Sequence, residues 1–187
     1  MTIAVYAGSF DPVTKGHLDL IYRASRQFER LIVGVGVNAG KSPLFTQPER
    51  IELIQECLKE HDLQRWTDTP HNAEEEVDGD KVSVQSFDGL LVDFCMANKA
   101  TVIVRGLRAV TDFEAELGIA LANMSMAPGI DTFFLPTRSK YMNVSSSVVR
   151  EIARYDSPTG WASLAHYVNK PVLDVLRLKF KRPDGQP

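Results

Sequence analysis

The chain has 187 residues, of which 44% are hydrophobic and 24% charged, with 24 acidic side chains against 21 basic ones. These proportions predict one globular domain and exclude the disordered, collagen-like and coiled-coil classes. The formal net charge of −3 provides no global positive field that would attract nucleic acid or an anionic membrane, so any anion must be bound locally.

Segments with strand and helix patterns alternate along the first third of the chain. Residues 3–7 form an apolar, β-rich run, and the apolar side chains from Leu18 to Phe28 then recur at helical spacing. A second strand is predicted at 31–37. The next helix, predicted to end at Leu58, begins with Thr46-Gln47-Pro48-Glu49, which matches a capping box with proline in the first turn.

Three more strands follow in the same alternation. The predicted strands are 81–87, 101–104 and 132–135. The predicted helices are 90–97, 111–124, 145–152, 161–168 and 171–180, with Thr111 as the cap of the second and Ser145 as the cap of the third. Alternating strands and helices predict parallel strands covered on both faces. We therefore predict a single doubly wound, Rossmann-like α/β domain over 1–187, with a five-stranded parallel sheet of order 3-2-1-4-5 and C-terminal helices.

The polar, acidic segment at about 64–80 and the basic tail at about 179–187 depart from this pattern. We predict a solvated loop for the first and a frayed end for the second. No run approaches the ~18 uninterrupted apolar residues of a membrane span, and the start has no apolar signal core. The two cysteines, Cys57 and Cys95, have no metal-binding or disulfide spacing. We expect a cytoplasmic protein with reduced thiols.

Ligands of open parallel sheets bind beyond the carboxyl ends of the strands, so the loops at that edge are informative. The first such loop contains Gly8-Ser9-Phe10-Asp11-Pro12 followed by Thr14-x-Gly16-His17. It places His17 in the first turn of a helix, where backbone N–H groups and the helix dipole favour an anion. The position at the binding edge of the sheet favours a functional histidine over a merely solvated one.

Two further loops carry groups that suit phosphate. Arg105-Gly106-Leu107-Arg108 is predicted to follow the fourth strand and lacks directly adjacent acidic residues, which suggests an anion clamp of two guanidinium forks. The alternative is a pair of surface arginines that form ion pairs with Asp112, Glu114 or Glu116. After the fifth strand, residues 139–147 lead three consecutive serines into a helix start, which also suits phosphate.

Two glycine patterns imitate known nucleotide motifs but do not match them. Gly40-Lys41-Ser42 resembles the end of a Walker A loop, yet Val35 stands where that motif requires glycine and Pro43 blocks the following helix. The glycines of the second strand miss the dinucleotide spacing. Lys41 remains as a cation in the loop after the second strand.

Taken together, Gly8–Pro12 with Thr14-x-Gly16-His17, then Arg105–Arg108, then Val144–Arg150 resemble bacterial phosphopantetheine adenylyltransferases. The first motif is typical of the whole nucleotidyltransferase superfamily. The run from Arg105 to Glu114 is more specific, and the resemblance extends over about 3–168 apart from the acidic insert. Ala7 and Met124 depart from the family pattern, which usually has proline and a basic residue at these positions.

The resemblance implies transfer of the adenylyl group of ATP to 4′-phosphopantetheine, giving dephospho-coenzyme A and pyrophosphate in coenzyme A biosynthesis. It implies direct in-line attack, magnesium on the ATP phosphates with no ligands from protein side chains, and a homohexamer inhibited by coenzyme A. The residue types suit this reaction because a phosphate nucleophile is already ionised at pH 7, so alignment and charge stabilisation suffice.

The resemblance also implies roles for individual residues. Catalytic roles fall on His17, Lys41 and Arg105. ATP binding falls on Ser9, Phe10, His17, Gly106, Leu107, Arg108, Glu116, Tyr141, Met142, Asn143, Val144, Ser145, Ser146 and Ser147. Binding of the acceptor falls on Ser9, Lys41, Leu91 and Arg105.

Two other functions remain open from the sequence. A related nucleotidyltransferase acting on nicotinamide mononucleotide would share the first motif but is not expected to carry Arg105–Arg108. A regulatory domain would bind ATP without turnover. Leu90, Leu91 and Phe94 of the third predicted helix offer an apolar wall without an aromatic pair for a flat ring, which favours a flexible acceptor arm.

Overall fold

The structure is a computed structural model that describes residues 2–37, 42–59 and 81–180. Its strands are β1 Ile3–Gly8, β2 Arg30–Gly36, β3 Val82–Phe87, β4 Val102–Leu107 and β5 Asp131–Pro136. Its α-helices are α1 Lys15–Ser25, α2 Gln47–Lys59, α3 Leu91–Ala97, α4 Val110–Met126, α5 Ser146–Arg154, α6 Pro158–Tyr167 and α7 Lys170–Phe180. Lys41, the insert at 64–80 and the tail from 181 onward lie outside the described residues, so the predictions for them stay predictions.

All five strands lie in one parallel sheet of order β3-β2-β1-β4-β5. This confirms the predicted doubly wound fold and its strand order. Ala4 of the central strand pairs with Leu31 on one side and with Val102 on the other. Because parallel strands end at the same edge, the loops after β1, β4 and β5 come together.

The two faces of the sheet carry cores of different size. Side chains such as Ala4, Leu31 and Val104 pack with α1, α2, α5, α6 and α7 on the larger side. Val5 and Ile32 face the opposite side, where they pack with α3 and the chain that follows α4. Both faces are therefore covered, as a parallel sheet requires. Within the described ranges, no helix is both long and apolar enough to span a membrane.

Local capping signals predicted some helix starts and missed others. Thr46 and Glu49 form the predicted capping box of α2, and Ser145 accepts a hydrogen bond from the Val148 N–H at 3.2 Å as the predicted N-cap of α5. The prediction for Thr111 is wrong, because α4 begins at Val110 after Ala109, which makes no side-chain cap. The start of α6 is at Pro158, earlier than predicted, because the Ser157 hydroxyl caps it.

β4 is longer than the sequence predicts. It continues through Leu107 because Arg105 and Leu107 pair with Phe134 and Pro136 of β5. Most of the Arg105–Arg108 motif therefore belongs to a strand and not to a loop. This places the motif on a rigid element at the carboxyl edge.

Candidate active site

A cavity of about 310 Å³ opens at the carboxyl edge of the sheet, between the ends of β1 and β4, α1 and the start of α5. This size suits part of a small ligand. The predicted site residues that line the cavity are Ser9, Phe10, His17, Arg105, Gly106, Arg108, Glu116, Tyr141, Val144, Ser145, Ser146 and Ser147. Groups from three separate parts of the sequence, 9–17, 105–116 and 141–147, thus meet in one place.

Some predicted site residues do not line this cavity. Leu107, Met142 and Asn143 are absent from its wall, although they neighbour residues that form it. Leu91, predicted for the acceptor, begins α3 and packs against the core on the other face of the sheet. The roles that the resemblance implies for these residues stay predictions.

His17 is held in place by its own helix start. The Thr14 N–H donates to Nδ1 of His17 at 3.1 Å, and the His17 N–H lies 3.4 Å from Oγ1 of Thr14 in the reciprocal contact of a capping box. The ring of Phe10 contacts the imidazole edge-on, with 5.1 Å between centroids. Because Nδ1 accepts a backbone hydrogen bond, the neutral imidazole carries its proton on Nε2.

Burial of the imidazole, with a smaller effect from the nearby positive charge of Arg108, lowers the pKa of His17 from 6.5 to about 4. A histidine with this pKa is neutral at pH 7. It can donate one hydrogen bond through Nε2–H, but it has no proton to give up as an acid near neutral pH. The geometry therefore fits a fixed donor aimed at an anion.

The lowered pKa predicts how stability depends on pH. Between about pH 4 and pH 6.5 the unfolded chain binds a proton at His17 that the folded chain does not. His17 therefore lowers the free energy of unfolding as the pH falls through this range, and it has no effect on that free energy above the range. The ¹H–¹⁵N spectrum of the ligand-free protein should show no titration of the His17 ring between pH 6 and 8, with His17→Gln identifying the signal. A midpoint at or above 6.5 would contradict the structure.

Both arginines of the Arg105–Arg108 motif have acidic partners. Arg105 forms a bidentate pair with Glu116, with Nε–Oε2 and Nη2–Oε1 distances of 2.6 and 2.9 Å, and its Nη1 donates to the Ala7 carbonyl at 3.1 Å. Nε of Arg108 lies 3.2 Å from Oδ2 of Asp112. Of the two alternatives that the sequence left open, the ion pairs with Glu116 and Asp112 are the one that forms, because α4 brings its carboxylates back over β4. Both arginines nevertheless line the cavity.

The start of α5 is attached to the loop after β1 by side chains. The Ser146 hydroxyl donates to the Pro12 carbonyl at 2.8 Å, and Arg150 donates to the Asp11 carbonyl. Ser145 caps the helix, while Ser147 lies 3.3 Å from Nη2 of Arg150. The three serines thus have different contacts. Together they hold a helix N-terminus, which favours anions, against the cavity.

The sequence missed several residues of the cavity wall. Tyr6, Leu20 and Thr137 line it, although none belongs to a motif. Leu20 lies so close to β4 that a Cβ at Gly106 would be 2.3 Å from its Cδ1. Glycine at this position therefore allows α1 to pack directly on the end of β4. Only the packing of α1 against the sheet reveals this contact.

The sequence matches known proteins over most of its length. The Cytidylyltransferase-like family model matches residues 5–152. Over 182 residues, and 97% of both chains, the sequence is 42% identical to the phosphopantetheine adenylyltransferase of Geobacter sulfurreducens. Over 155 residues, which are 83% of this chain and 85% of the relative, it is 44% identical to that of Carboxydothermus hydrogenoformans. The chain belongs to the phosphopantetheine adenylyltransferase family. It is therefore an enzyme.

A solved structure extends the comparison to the fold. The Plasmodium falciparum nicotinic acid mononucleotide adenylyltransferase, complexed with NaAD, superposes with a TM-score of 0.67 over 96% of both chains at 14% identity. At this identity the likeness concerns the fold alone. This member of the phosphopantetheine adenylyltransferase family thus has the Rossmann-like fold that its sequence predicts. Its cavity lies at the edge of the sheet where proteins of this fold bind ligands.

Proposed function

We propose that this enzyme transfers the adenylyl group of ATP to 4′-phosphopantetheine, forming dephospho-coenzyme A and pyrophosphate in coenzyme A biosynthesis. One observation carries the proposal: His17, Arg105 and the start of α5 surround one cavity in a chain 42% identical, over 97% of its length, to a relative named for this activity. We propose the cytoplasm as the location of the reaction.

The chemistry needs alignment more than acid–base catalysis. An oxygen of the acceptor phosphate attacks the α-phosphorus of ATP in line, and the bond from that phosphorus to pyrophosphate breaks. The attacking oxygen is already ionised at pH 7, so no base is required. The neutral His17 donates its Nε2–H to the charge that develops on the phosphate oxygens.

The other site residues divide between the two substrates in this proposal. The start of α5, Gly106 and Arg108 contact ATP, while Arg105 and Lys41 hold the reacting phosphates and Leu91 contacts the pantetheine arm. Both oxygens of the Glu116 carboxylate accept hydrogen bonds from Arg105, and the positive charge of this partner makes the carboxylate a poor metal ligand. Magnesium accordingly enters with the ATP phosphates as part of the substrate, where it neutralises their charge.

The aromatic side chains near α3 give little support to a flat acceptor ring. Phe94 of α3 stacks on Phe87 of β3, with 4.9 Å between ring centroids. These rings contact each other and pack over Gly34 and Gly36, so they leave no slot for a third ring between them. This supports a flexible arm in place of a nicotinamide or flavin ring.

An acceptor panel tests the proposal by measuring pyrophosphate release with ATP and phosphopantetheine, pantetheine or nicotinamide mononucleotide. Phosphopantetheine should have a kcat/KM at least about a hundredfold above the others. Pantetheine lacks the phosphate, which leaves the polar groups of the site unpaired, and nicotinamide mononucleotide has a flat ring in place of the flexible arm. Pantetheine, which lacks only the phosphate, is the matched control. Equal turnover of nicotinamide mononucleotide would contradict the proposed acceptor, and ATP binding without pyrophosphate release would favour a regulatory domain.

We also propose that the enzyme forms a homohexamer inhibited by coenzyme A. Large apolar side chains of α4 are exposed, among them Val110, Leu121 and Met126 at 81%, 57% and 50% exposure. Apolar side chains clustered on one helix support a protein interface. Sedimentation should give six times the chain mass for the native protein and a smaller mass for Leu121→Asp.

A further inference from the structure

Arg50, at the start of α2, is a buried cation that is bound by backbone carbonyls. Only 4% of its surface is exposed. Its Nη1 donates to the Ser9 carbonyl at 2.7 Å and to the Gly36 carbonyl at 3.2 Å, and its Nε donates to the Thr46 carbonyl at 3.4 Å. Within the part of the chain that the structure describes, no carboxylate forms an ion pair with it. We call Arg50 and these three carbonyls the carbonyl clamp.

This is an unfavourable place for a positive charge. Burial removes the hydration of the guanidinium, and the N-terminal end of a helix carries a partial positive charge of its own. The carbonyl dipoles of the clamp must offset both effects. An apolar side chain would avoid the penalty if α2 needed only to pack against the core, so the position of the arginine suggests that its donors are needed.

The clamp joins two strands just where they stop pairing. The register of β1 and β2 ends at Gly8 with Val35, and the Ser9 and Gly36 carbonyls follow directly. Arg50 therefore replaces the missing ladder bonds with a side chain that binds both strands. A guanidinium can do this because its several N–H donors are held in one plane.

Neighbouring contacts dock the same end of α2 on the sheet. The Asp11 carboxylate accepts from the N–H groups of Leu44 and Phe45, both at 2.9 Å. Nε2 of Gln47 donates to the Val35 carbonyl at 3.0 Å. The start of α2 is thus bound to the loop after β1 and to the end of β2, and Arg50 is the residue that contacts both segments.

The carbonyl clamp connects the part of the carboxyl edge that lines the cavity with the part, at the end of β2, that does not. Ser9 lines the cavity, whereas the residues that line this cavity include none from β2 or β3. We propose that Arg50 is a positioning residue, which fixes the Ser9 wall of the cavity relative to the end of β2 and so aligns the acceptor with bound ATP. This inference rests on the proposed function for the existence of an acceptor that must be aligned.

The test compares Arg50→Gln with a variant that weakens α2 in another way. Ile54→Ala removes a fully buried side chain of α2 and leaves the carbonyl clamp intact. In Arg50→Gln, kcat/KM for the acceptor should fall roughly 10- to 100-fold, because small misplacements of reacting groups have effects of this order. Ser9 is also implied in ATP binding, but the start of α5 and the end of β4 remain in place, so the Kd for ATP, from direct titration, should change less than about threefold. Ile54→Ala should lower Tm by about as much as Arg50→Gln does, without the loss of kcat/KM.

Arg50→Lys provides the conservative comparison. It retains the charge, but its donors lie on a single nitrogen and not along a planar guanidinium, so it should recover only part of the lost kcat/KM. If Arg50→Gln fails to fold, Arg50→Lys is compared directly with the native enzyme, and native kcat/KM in that variant overturns the inference. The inference is also overturned if Arg50→Gln has a kcat/KM no lower than that of Ile54→Ala when the two variants have equal Tm. It is overturned as well if the affinity of Arg50→Gln for ATP falls by the same factor as its kcat/KM.

A second measurement separates this inference from the proposed function. Amide hydrogen exchange in residues 8–11 and 35–37 should accelerate in Arg50→Gln and not in Ile54→Ala, whatever the acceptor is. If the panel identifies another acceptor, the kinetic comparison uses that one. If the native enzyme turns over none, unchanged exchange in these two segments overturns the inference, and accelerated exchange supports it.

Discussion

The His17→Ala enzyme is expected to lose at least about two orders of magnitude in kcat while its Kd for ATP changes much less. A fixed donor aimed at developing charge contributes about 2.7–4 kcal/mol, mainly in the transition state. The Nδ1 contact with Thr14 and the ring contact with Phe10 hold this donor in place before substrate arrives. Steady-state kinetics with direct ATP titration measures the two effects separately.

Three outcomes bear on the assignment of His17. His17→Gln keeps an N–H donor near the position of Nε2, so it should retain more activity than His17→Ala. The loss in both variants should be nearly constant between pH 6 and 8, because the imidazole with a pKa of about 4 is neutral throughout this range. An equal loss of ATP affinity with kcat unchanged would make His17 a binding residue only.

Arg105→Ala should lower kcat/KM for the acceptor roughly 100- to 1,000-fold, which corresponds to about 2.7–4 kcal/mol. On the proposed function the variant loses a guanidinium donor to phosphate. It also leaves the Glu116 carboxylate, which Arg105 holds in a bidentate pair, without that partner beside the cavity, where it repels incoming phosphates. Both side chains of the pair are less than a quarter exposed, so solvent screens this repulsion only in part. Initial rates at varied acceptor concentration measure the effect.

A double-mutant cycle decides which of these two causes dominates. If Arg105 acts mainly by neutralising Glu116, the Arg105→Ala/Glu116→Gln enzyme should recover most of the activity. If Arg105 binds phosphate, as proposed, the double variant should remain close to Arg105→Ala. Glu116→Gln alone is the matched control, and native activity in the double variant would remove Arg105 from the catalytic residues.

The sequence by itself determined the elements and the edge of the sheet where ligands bind. Alternation of apolar strands with helices is a local pattern, and it predicted a parallel sheet because strands of this kind need helices on both faces. The position of His17 at a helix start follows from Thr14 only three residues away. Local contacts of this kind can be predicted from the sequence because the groups that interact are neighbours along the chain.

Contacts between distant segments were decided only by the tertiary structure. Whether Arg105 pairs with an acid depended on how α4 returns over β4 across eleven residues, and the motif alone left both answers open. Phe87 and Phe94 meet because a strand and the next helix pack together over Gly34. Arg50 binds a carbonyl 41 positions earlier in the chain. A side chain's type states what it can bind, but its partner depends on which backbone atoms folding brings within about 3 Å of it.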